Sequence, residues 1–294
     1  MTASHEGKHR VPEIPAPDAR IPLLIDTDCG CEVDDQFAIA LAVHRPDRFD
    51  LQGFVATHFA DDPGSTVKAA EEIERVLNHC GMEGRWPVRK GGDPLQYSSV
   101  PSESEGAGFI VEKAMQHTPE EPLWIAVLGA CTNTVSAYLK EPRIAERIVV
   151  LYHGRTQFWP EKCSNFNVVG DLKAARVLFT SKLPLVLFDT GTYLRAPVEE
   201  TERGLAPCGQ IGRYLHEIRL RTEHWRSPRK AFYDLGDIAF LVDPSLAYRE
   251  ETDAPSVDND LRYNWQRTFG RIVRVYQIDR DGTFELLYRT LASA

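Results

Sequence analysis

Residues 22–42 of the chain, PLLIDTDCGCEVDDQFAIALA, carry the clearest evidence for the fold. An apolar run at residues 22–26 leads through a short acidic loop into a stretch with the 3.6-residue periodicity of a helix, which begins at Asp34. The apolar face of that helix comprises Phe37, Ala38, Leu41 and Ala42. A buried strand followed directly by a helix is the repeating unit of parallel α/β sheets.

Strand and helix patterns alternate along most of the remaining chain. Four more apolar runs have the length of buried strands: residues 51–57, 123–129, 147–152 and 183–188. Helical patterns begin at Thr132, after the capping residue Asp171, and at Asp234. This alternation predicts a single α/β domain, residues 21–294, in which a mostly parallel open sheet is flanked by helices.

The two ends of the chain depart from this alternation. Residues 1–20 contain no apolar run and predict a flexible tail without a signal peptide. At the other end, apolar runs at residues 271–278 and 283–291 flank the turn sequence DRDG and predict a C-terminal β-hairpin.

Composition restricts the kind of partner that the protein binds. A net charge of −9 over 294 residues opposes binding to nucleic acid, because the phosphate backbone would be repelled. No stretch approaches the roughly 20 apolar residues of a membrane span. Six cysteines are too few for a disulfide framework in a chain of this length, which fits a cytoplasmic protein. We therefore expect a small-molecule partner.

Five acidic residues lie close together at the junction of the first strand and helix: Asp26, Asp28, Glu32, Asp34 and Asp35. Acids at the start of a helix also stabilise its dipole without any further function. Asp26 and Asp28 are two positions apart on an extended segment, so their side chains point the same way. So many carboxylates in one small volume repel one another unless a cation neutralises them, and hard oxygen ligands suit Ca²⁺ or Mg²⁺.

The acidic segment resembles the D-T-D-P-G-x-D-D signature of the inosine-uridine nucleoside hydrolases, with Cys29 in the place of the proline. Three later blocks resemble further motifs of that family and occur in the same order. GACTNTVSAYLKEPRIAERIVVLYHG is similar to the G-P-L-T-N block with its helix and M-G-G strand, NFNVVGDLKAA to E-F-N-x-x-x-D-P-x-A-A, and YDLGDIAFLVDP to H-D-x-x-A-V-A-Y-L-x-x-P. The resemblance spans residues 23–244 and implies the nucleoside hydrolase fold, commonly assembled as a dimer or tetramer.

The resemblance implies calcium-dependent hydrolysis of the N-glycosidic bond of a ribonucleoside-like substrate by a metal-activated water. Asp28 would be both a calcium ligand and the general base that accepts a proton from this water. Asp35, Asp234 and the carbonyl oxygen of Leu128 would complete the protein ligands of the cation. Without the other blocks, Asp234 would be interpreted as a helix cap.

The same resemblance assigns the ribose to Asp34 and Asn167. Three positions that meet the substrate in the family carry other residues here. Tyr233 replaces a histidine that protonates the leaving base, and Asn165 replaces a carboxylate at the ribose 5′ end. The region of Trp159 replaces an asparagine that shares this 5′ contact. We therefore expect the metal half of the site to be retained, and the 5′ and leaving-group half to be rebuilt.

Two other functions remain open at this point. A catalytically weakened, calcium-dependent ribose- or nucleoside-binding relative would keep the cation site and lack turnover. A phosphohydrolase of the D-x-D-x-T type would use the same aspartates, but Cys29 and Gly30 follow Asp28 in place of that motif's x-Thr. The phosphohydrolase would also leave the later blocks unexplained.

Two further features each allow two interpretations. The basic run at residues 219–230 is either a solvated helix face or an element that binds a phosphate over the pocket. Four cysteines are expected in loops that face the crevice, either as small half-buried residues or as a thiolate zinc site: Cys29, Cys31, Cys131 and Cys163.

Overall fold

A computed structural model of the protein describes residues 5–59, 62, 64–154 and 158–293. Its strands are β1 (Ile21–Thr27), β2 (Phe49–Ala56), β3 (Val88–Lys90), β4 (Leu123–Val127), β5 (Ile148–His153), β6 (Leu185–Phe188), β7 (Ala247–Val257) and β8 (Tyr263–Ile278). They form one sheet in the order β3-β2-β1-β4-β5-β6-β8-β7. Every neighbouring pair is parallel except β7 and β8, which are antiparallel. The predicted fold class is confirmed.

Helices cover both faces of this sheet. They are α1 (Asp34–Val43), α2 (Ser65–His79), α3 (Glu105–Ala114), α4 (Thr132–Lys140), α5 (Phe166–Gly170), α6 (Leu172–Thr180), α7 (Val198–Leu205), α8 (Gly209–Arg219), α9 (Glu223–Arg226), α10 (Tyr233–Val242) and α11 (Arg280–Ala292). Two short 3-10 helices lie at Pro142–Glu146 and Pro244–Leu246. Within the ranges that the structure describes, no helix is long and apolar enough to cross a membrane.

Helix α1 is buried on every side, whereas its sequence predicts one apolar face. All 10 of its residues are buried, because the helix lies between the sheet and α10, with α2, α8 and α11 around it. The burial includes Asp34 and Asp35, which occupy its first turn. The acidic start of this helix is therefore removed from bulk water.

The predicted C-terminal hairpin is present, and residues 271–278 form part of its strand β8, but the second strand and the turn lie elsewhere in the chain than predicted. Strands β7 and β8 pair around a turn at residues 258–262, where Asp258 Oδ1 accepts hydrogen bonds from two backbone N–H groups of the turn. Residues 283–291, predicted to be a strand, lie in α11. Apolar side chains at three- and four-residue spacing bury one face of α11: Phe284, Leu287 and Leu291. The prediction of a turn at DRDG was wrong because Asp279 is a helix cap, and aspartate is favoured in both settings.

Residues 5–20, which the sequence predicts to belong to a flexible tail, run along the body of the protein. The N–H group of Gly7 donates to the carbonyl of Thr180 at 2.9 Å. The N–H group of His9 donates to the carbonyl of Phe269 at 2.8 Å. The His9 ring is buried, and this burial lowers the pKa of the imidazole. Backbone contacts of this kind leave no pattern in the sequence.

Strands β1, β4 and β5 are neighbours at the centre of the sheet and end at the same edge. As predicted for an open α/β sheet, the residues that follow them meet around one crevice. Gly129 allows this close approach, since a Cβ atom there would lie 2.5 Å from the Thr57 side chain and 3.0 Å from the Asp28 side chain. Any larger residue would push the loop after β4 away from the loop after β1.

Asp171 connects three segments of the chain through hydrogen bonds, and its substitution tests how much these contacts stabilise the fold. Its buried carboxylate accepts hydrogen bonds from the N–H groups of Ala174 at 2.9 Å and Leu95 at 2.8 Å. The Thr132 hydroxyl donates to it at 2.7 Å. Asp171→Ala leaves these donors unpaired, so we expect the free energy of unfolding to fall by about 2–4 kcal/mol, measured by urea denaturation.

The matched control is Asp279→Ala, which removes an exposed helix cap and should cost about 1 kcal/mol. Both variants are measured in chelator, so that bound cations do not contribute to the free energy. Equal losses for the two variants would contradict the role given to Asp171.

Candidate active site

A cavity lies at the carboxyl ends of β1, β4 and β5. It is lined by Asp28, Cys31, Glu32, Asp34, Asp35, Leu128, His153, Asn165, Phe166, Asn167, Tyr233 and Asp234. All the residues predicted for the site line it, with the exception of Trp159. In the described part of its wall the cavity has five carboxylates and no arginine or lysine. The site is therefore strongly acidic.

The carboxylates come from distant parts of the chain. Asp34 and Asp35 lie in the first turn of α1, and Asp234 lies in the first turn of α10. One oxygen atom from each of these three residues lies within 4.8 Å of the others. Asp28 lines the same cavity from the loop after β1. Carboxylate oxygens gathered in this way form the donor set that a hard divalent cation prefers.

Hydrogen bonds fix two of these carboxylates. The hydroxyl group of Thr27 donates to Asp35 Oδ1. The ammonium group of Lys230 donates to Asp34 Oδ1 at 2.8 Å, and the N–H group of Asp234 donates to Asp34 Oδ2 at 3.3 Å. Burial disfavours the charge on this ammonium group, but the carboxylates beside it outweigh burial and raise the pKa of Lys230.

Burial and mutual repulsion favour protons on the remaining carboxylates. Burial is the larger cause and raises the pKa of Asp35 to about 7, with the charge of Asp34 adding to it. Burial also raises the pKa of Asp28 and of Asp234 well above the ordinary range, and the charges of Asp35 and Asp34 add to this effect. A divalent cation could displace these protons and neutralise the repulsion, so the residues present fit such an ion.

Asp26 belongs to the acidic segment but does not line the cavity. The amide of Asn133 donates to its Oδ1 at 2.9 Å, and the hydroxyl of Thr134 donates to its Oδ2 at 3.1 Å. Burial raises the pKa of Asp26 to about 7. Asp26 therefore ties the end of β1 to the start of α4 and has a structural role.

Asn167 connects the residues that follow β4 and β5. Its Nδ2 donates to the carbonyl oxygens of Leu128 at 2.6 Å and of His153 at 3.0 Å. Asn165 caps α5, since its Oδ1 accepts a hydrogen bond from the N–H group of Val168 at 2.7 Å. The buried Nδ2 of Asn165 has no hydrogen-bond partner among the described residues. One donor in this wall is therefore left for a ligand.

Trp159 is the one predicted site residue that the structure does not bring to the cavity. Its ring meets those of Tyr263 and Trp265 edge-on, with centroids 4.8 Å and 5.2 Å away. The guanidinium group of Arg274 lies 4.7 Å from the centroid of the Trp159 ring. Trp159 thus packs in an aromatic cluster on β8.

His153 and Asp237 lie at the site, and neither was predicted from the sequence. The Nδ1 atom of buried His153 is 2.6 Å from Asp237 Oδ2 and 3.8 Å from Asp234 Oδ1. Burial raises the pKa of Asp237 to about 6, although His153 acts against this shift. The available signals were a histidine at the carboxyl end of a predicted strand and an aspartate one helical turn after Asp234.

The basic run at residues 219–230 does not line the cavity. Three of its four arginines are exposed: Arg221, Arg226 and Arg229. Buried Arg219 donates to the backbone carbonyls of Ala196 and Ser227. Two residues of the run reach the acidic loop: Lys230 contacts Glu32 and Asp34, and the exposed His224 lies 3.3 Å from Glu32. The geometry supports the solvated-face interpretation and gives no support to a phosphate-binding element.

Of the four cysteines expected at the crevice, Cys31 lines the cavity. The other three, Cys29, Cys131 and Cys163, are buried. All four cysteines are free thiols. Burial raises the pKa of each thiol, which opposes the thiolate form that binds zinc. The groups of described residues that could hold a metal contain no cysteine.

A carboxylate-lined cavity at the strand ends of an open α/β sheet lies where proteins of this fold class bind small molecules. The family model described as inosine-uridine preferring nucleoside hydrolase matches residues 23–283. The chain belongs to this family and is a hydrolase of N-ribosyl bonds.

Individual relatives agree with this assignment. The pyrimidine-specific ribonucleoside hydrolase RihA of Escherichia coli O1:K1 is 25% identical over 260 residues, which cover 77% of this chain and 81% of that protein. The solved structure of a plant nucleoside hydrolase, PpNRh1, has a TM-score of 0.73 at 20% identity, with 94% of this chain and 100% of that chain covered. For a purine-preferring ribonucleoside hydrolase from Gardnerella vaginalis the TM-score is 0.72 at 17% identity, with 92% and 98% covered. The fold is thus shared over nearly the whole chain.

Cation binding should depend on pH in the neutral range, because protons and the cation compete for the same oxygen atoms. The pKa of Asp35 is raised to about 7, so its carboxylate is protonated below that pH and must lose the proton to bind. We expect the affinity for Ca²⁺ to fall by about tenfold per pH unit below pH 7 for each proton released. Calorimetric titration in buffers of different ionisation enthalpy measures both the affinity and the protons.

A site built from ordinary aspartates, with a pKa of about 4, would keep its affinity down to about pH 5. An affinity that stays constant between about pH 5 and pH 7 would therefore show that Asp35 is not in competition with protons. Asp35→Asn should remove the dependence that comes from this residue.

Proposed function

We propose that this enzyme hydrolyses the N-glycosidic bond of a ribonucleoside with Ca²⁺ as its cofactor and Asp28 as its general base. The observation that carries the proposal is the gathering of Asp34, Asp35 and Asp234 oxygen atoms within 4.8 Å of one another in a buried cavity. Buried carboxylates at this spacing are stable together only with protons or a cation between them. The oxygen-only donor set and the absence of thiol ligands in the described groups favour calcium over zinc.

The residues of the site have the following roles in this proposal. Asp28, Asp35, Asp234 and the carbonyl oxygen of Leu128 hold the cation. When bound, Ca²⁺ supplies Lewis acidity toward a water molecule and positive charge toward the sugar hydroxyls. Asp28 accepts a proton from the water that attacks the anomeric carbon, as the bond to the base breaks through an oxocarbenium-like transition state.

The remaining lining residues orient the sugar and the base. Asp34 accepts hydrogen bonds from ribose hydroxyls, and Asn167, which lines the same cavity, provides a further polar contact. Asn165 offers its unpartnered amide donor to an oxygen of the substrate. Tyr233 is half-buried in the cavity wall, where its ring can stack on the leaving base.

The charge of the cavity favours a neutral substrate. Five carboxylates line its described wall, with no arginine or lysine among them, so a 5′-phosphate would be repelled. The relatives' names mention both pyrimidine-specific and purine-preferring enzymes. A substrate panel must therefore contain both kinds of ribonucleoside, each with its 5′-monophosphate.

The test measures ribose released from this panel in Ca²⁺ and in chelator. We expect release from at least one plain ribonucleoside, slower release from its 5′-monophosphate, and loss of both in chelator that Ca²⁺ restores. Release that is unaffected by chelator would contradict the role of the cation. Release of phosphate in place of ribose would contradict the reaction itself.

Asp28→Asn tests the general base. The amide cannot accept the proton, so we expect turnover at saturating Ca²⁺ to fall by roughly 10²–10⁴-fold, with the fold retained. Turnover is measured as ribose release at several Ca²⁺ concentrations, because Asn also weakens the cation site. Near-normal turnover at saturating Ca²⁺ would assign the proton to another residue.

A catalytically weakened binding protein is the second candidate, favoured by Tyr233 at the position of the family's proton-donating histidine. Such a protein would retain a ribonucleoside in the presence of Ca²⁺ in equilibrium dialysis, yet release no ribose. The substrate panel separates the two candidates, since an enzyme turns over what it binds.

Tyr233→Phe examines how the leaving base departs. A phenol has a pKa of about 10 and is a poor proton donor at neutral pH. If Tyr233 stacks on the base, its ring suffices, and kcat should fall by less than about tenfold, the worth of one neutral hydrogen bond. Loss of turnover with substrate binding intact would instead make the phenol the proton donor.

A further inference from the structure

Lys230 is a buried cation in contact with the acidic loop. Its side chain is 1% exposed, and its ammonium group donates to Asp34 Oδ1 at 2.8 Å and to the carbonyl of Ala231 at 2.7 Å. A carboxylate oxygen of Glu32 lies 2.7 Å from the same nitrogen. An ammonium group has three N–H bonds, and three oxygen atoms surround this one. Lys230 is therefore fully engaged with the protein and is not a receptor for a substrate anion.

Lys230 distinguishes Asp34 from its neighbour Asp35. Asp34 faces a full positive charge at one oxygen and the backbone N–H group of Asp234 at the other. Asp35 meets the neutral hydroxyl of Thr27. The two carboxylates are adjacent in sequence and equally buried. What distinguishes their environments is the charge of their hydrogen-bond partners.

Geometry alone leaves the set of cation ligands ambiguous. The oxygen atoms of Asp34, Asp35 and Asp234 are close enough for all three to share one ion. If Asp34 turned its Oδ1 atom from Lys230 to that ion, the buried ammonium group would keep only the partly exposed Glu32 as its counter-charge, which is costly. Asp35 has no such ion pair to break.

We propose that Lys230 is a positioning residue that keeps Asp34 out of the coordination shell of the cation and holds its carboxylate for the sugar hydroxyls. The inference rests on the proposed function in one respect, namely that a divalent cation binds at Asp35 and Asp234. It assigns a task to the buried lysine of the basic run, which links the segment before α10 to the first turn of α1.

The first test is the cation affinity of Lys230→Met, measured by calorimetric titration with Ca²⁺ in the absence of substrate. Methionine fills a similar volume without charge, so Asp34 is released and a repelling charge is lost. Both changes should tighten Ca²⁺ binding, by at least about tenfold. Lys230→Arg is the matched control, because it keeps the charge beside Asp34 and should keep the affinity near that of the unchanged protein.

Luminescence lifetimes of bound Eu³⁺ in H₂O and D₂O count the water molecules on the ion. If Asp34 enters the coordination shell in Lys230→Met, the count should fall by about one relative to the unchanged protein. Unchanged affinity and an unchanged water count in Lys230→Met would overturn the proposal, and so would weaker binding.

A second set of variants begins with a comparison that does not depend on the folding of Lys230→Met. In the otherwise unchanged chain, Asp35→Asn should weaken Ca²⁺ binding by at least about tenfold, and Asp34→Asn, which removes a nearby charge but no ligand, should weaken it clearly less. In the Lys230→Met background, Asp34→Asn should remove the affinity that was gained, which is a non-additive pair. Equal losses for Asp34→Asn and Asp35→Asn in the unchanged chain would show that Asp34 is already a ligand and would overturn the proposal.

These measurements use the cation and no nucleoside. A protein that binds Ca²⁺ as described but releases no ribose would contradict the proposed function and support the role of Lys230. A protein that releases ribose but uses Asp34 as a cation ligand would support the proposed function and contradict the role of Lys230.

Discussion

Repulsion between buried carboxylates is the constraint on which the centre of this protein depends. Asp28, Asp35 and Asp234 share one cavity, and burial together with their neighbours raises the pKa of each. A group of this kind lowers stability unless a cation or protons compensate it. The end of β1 and the first turns of α1 and α10 each bring acidic residues to this cavity. Their arrangement therefore supports a site in which a cation or protons compensate the charge.

Two buried side chains contact carboxylates at this site. Lys230 pairs with Asp34, and His153 pairs with Asp237 beside Asp234. In the proposed site, these contacts leave Asp28 and Asp35 available to a cation. Pairing of Asp34 but not Asp35 with a lysine would then allow the two adjacent aspartates to have different roles, as we propose.

The sequence predicted the parts of the structure that depend on local pattern. The apolar runs predicted the central strands, and the acidic segment predicted that Asp28, Asp34 and Asp35 would lie at one edge of the sheet. The strand predicted at residues 283–291 was wrong, because a helix cap and a turn use the same residue types. Trp159 was assigned to the site by motif position, but it packs in an aromatic cluster.

The missed parts of the site depend on contacts between distant residues. His153 and Asp237 are 84 positions apart, and Lys230 and Asp34 are 196 positions apart. Lys230 was hidden in a run of basic residues whose other members are mainly exposed. No local periodicity distinguishes a buried lysine from a solvated one, so its role follows from the three-dimensional structure.

The central claim is that these carboxylates form a cation site in the folded protein. Urea unfolding in chelator and in Ca²⁺ tests it most directly, because an ion that binds only the folded state adds its binding energy to stability. At about 100 times the dissociation constant, Ca²⁺ should raise the free energy of unfolding by about 2.7 kcal/mol, and Asp35→Ala should remove that gain. A free energy of unfolding that is the same in chelator and in Ca²⁺ at every concentration would contradict the account.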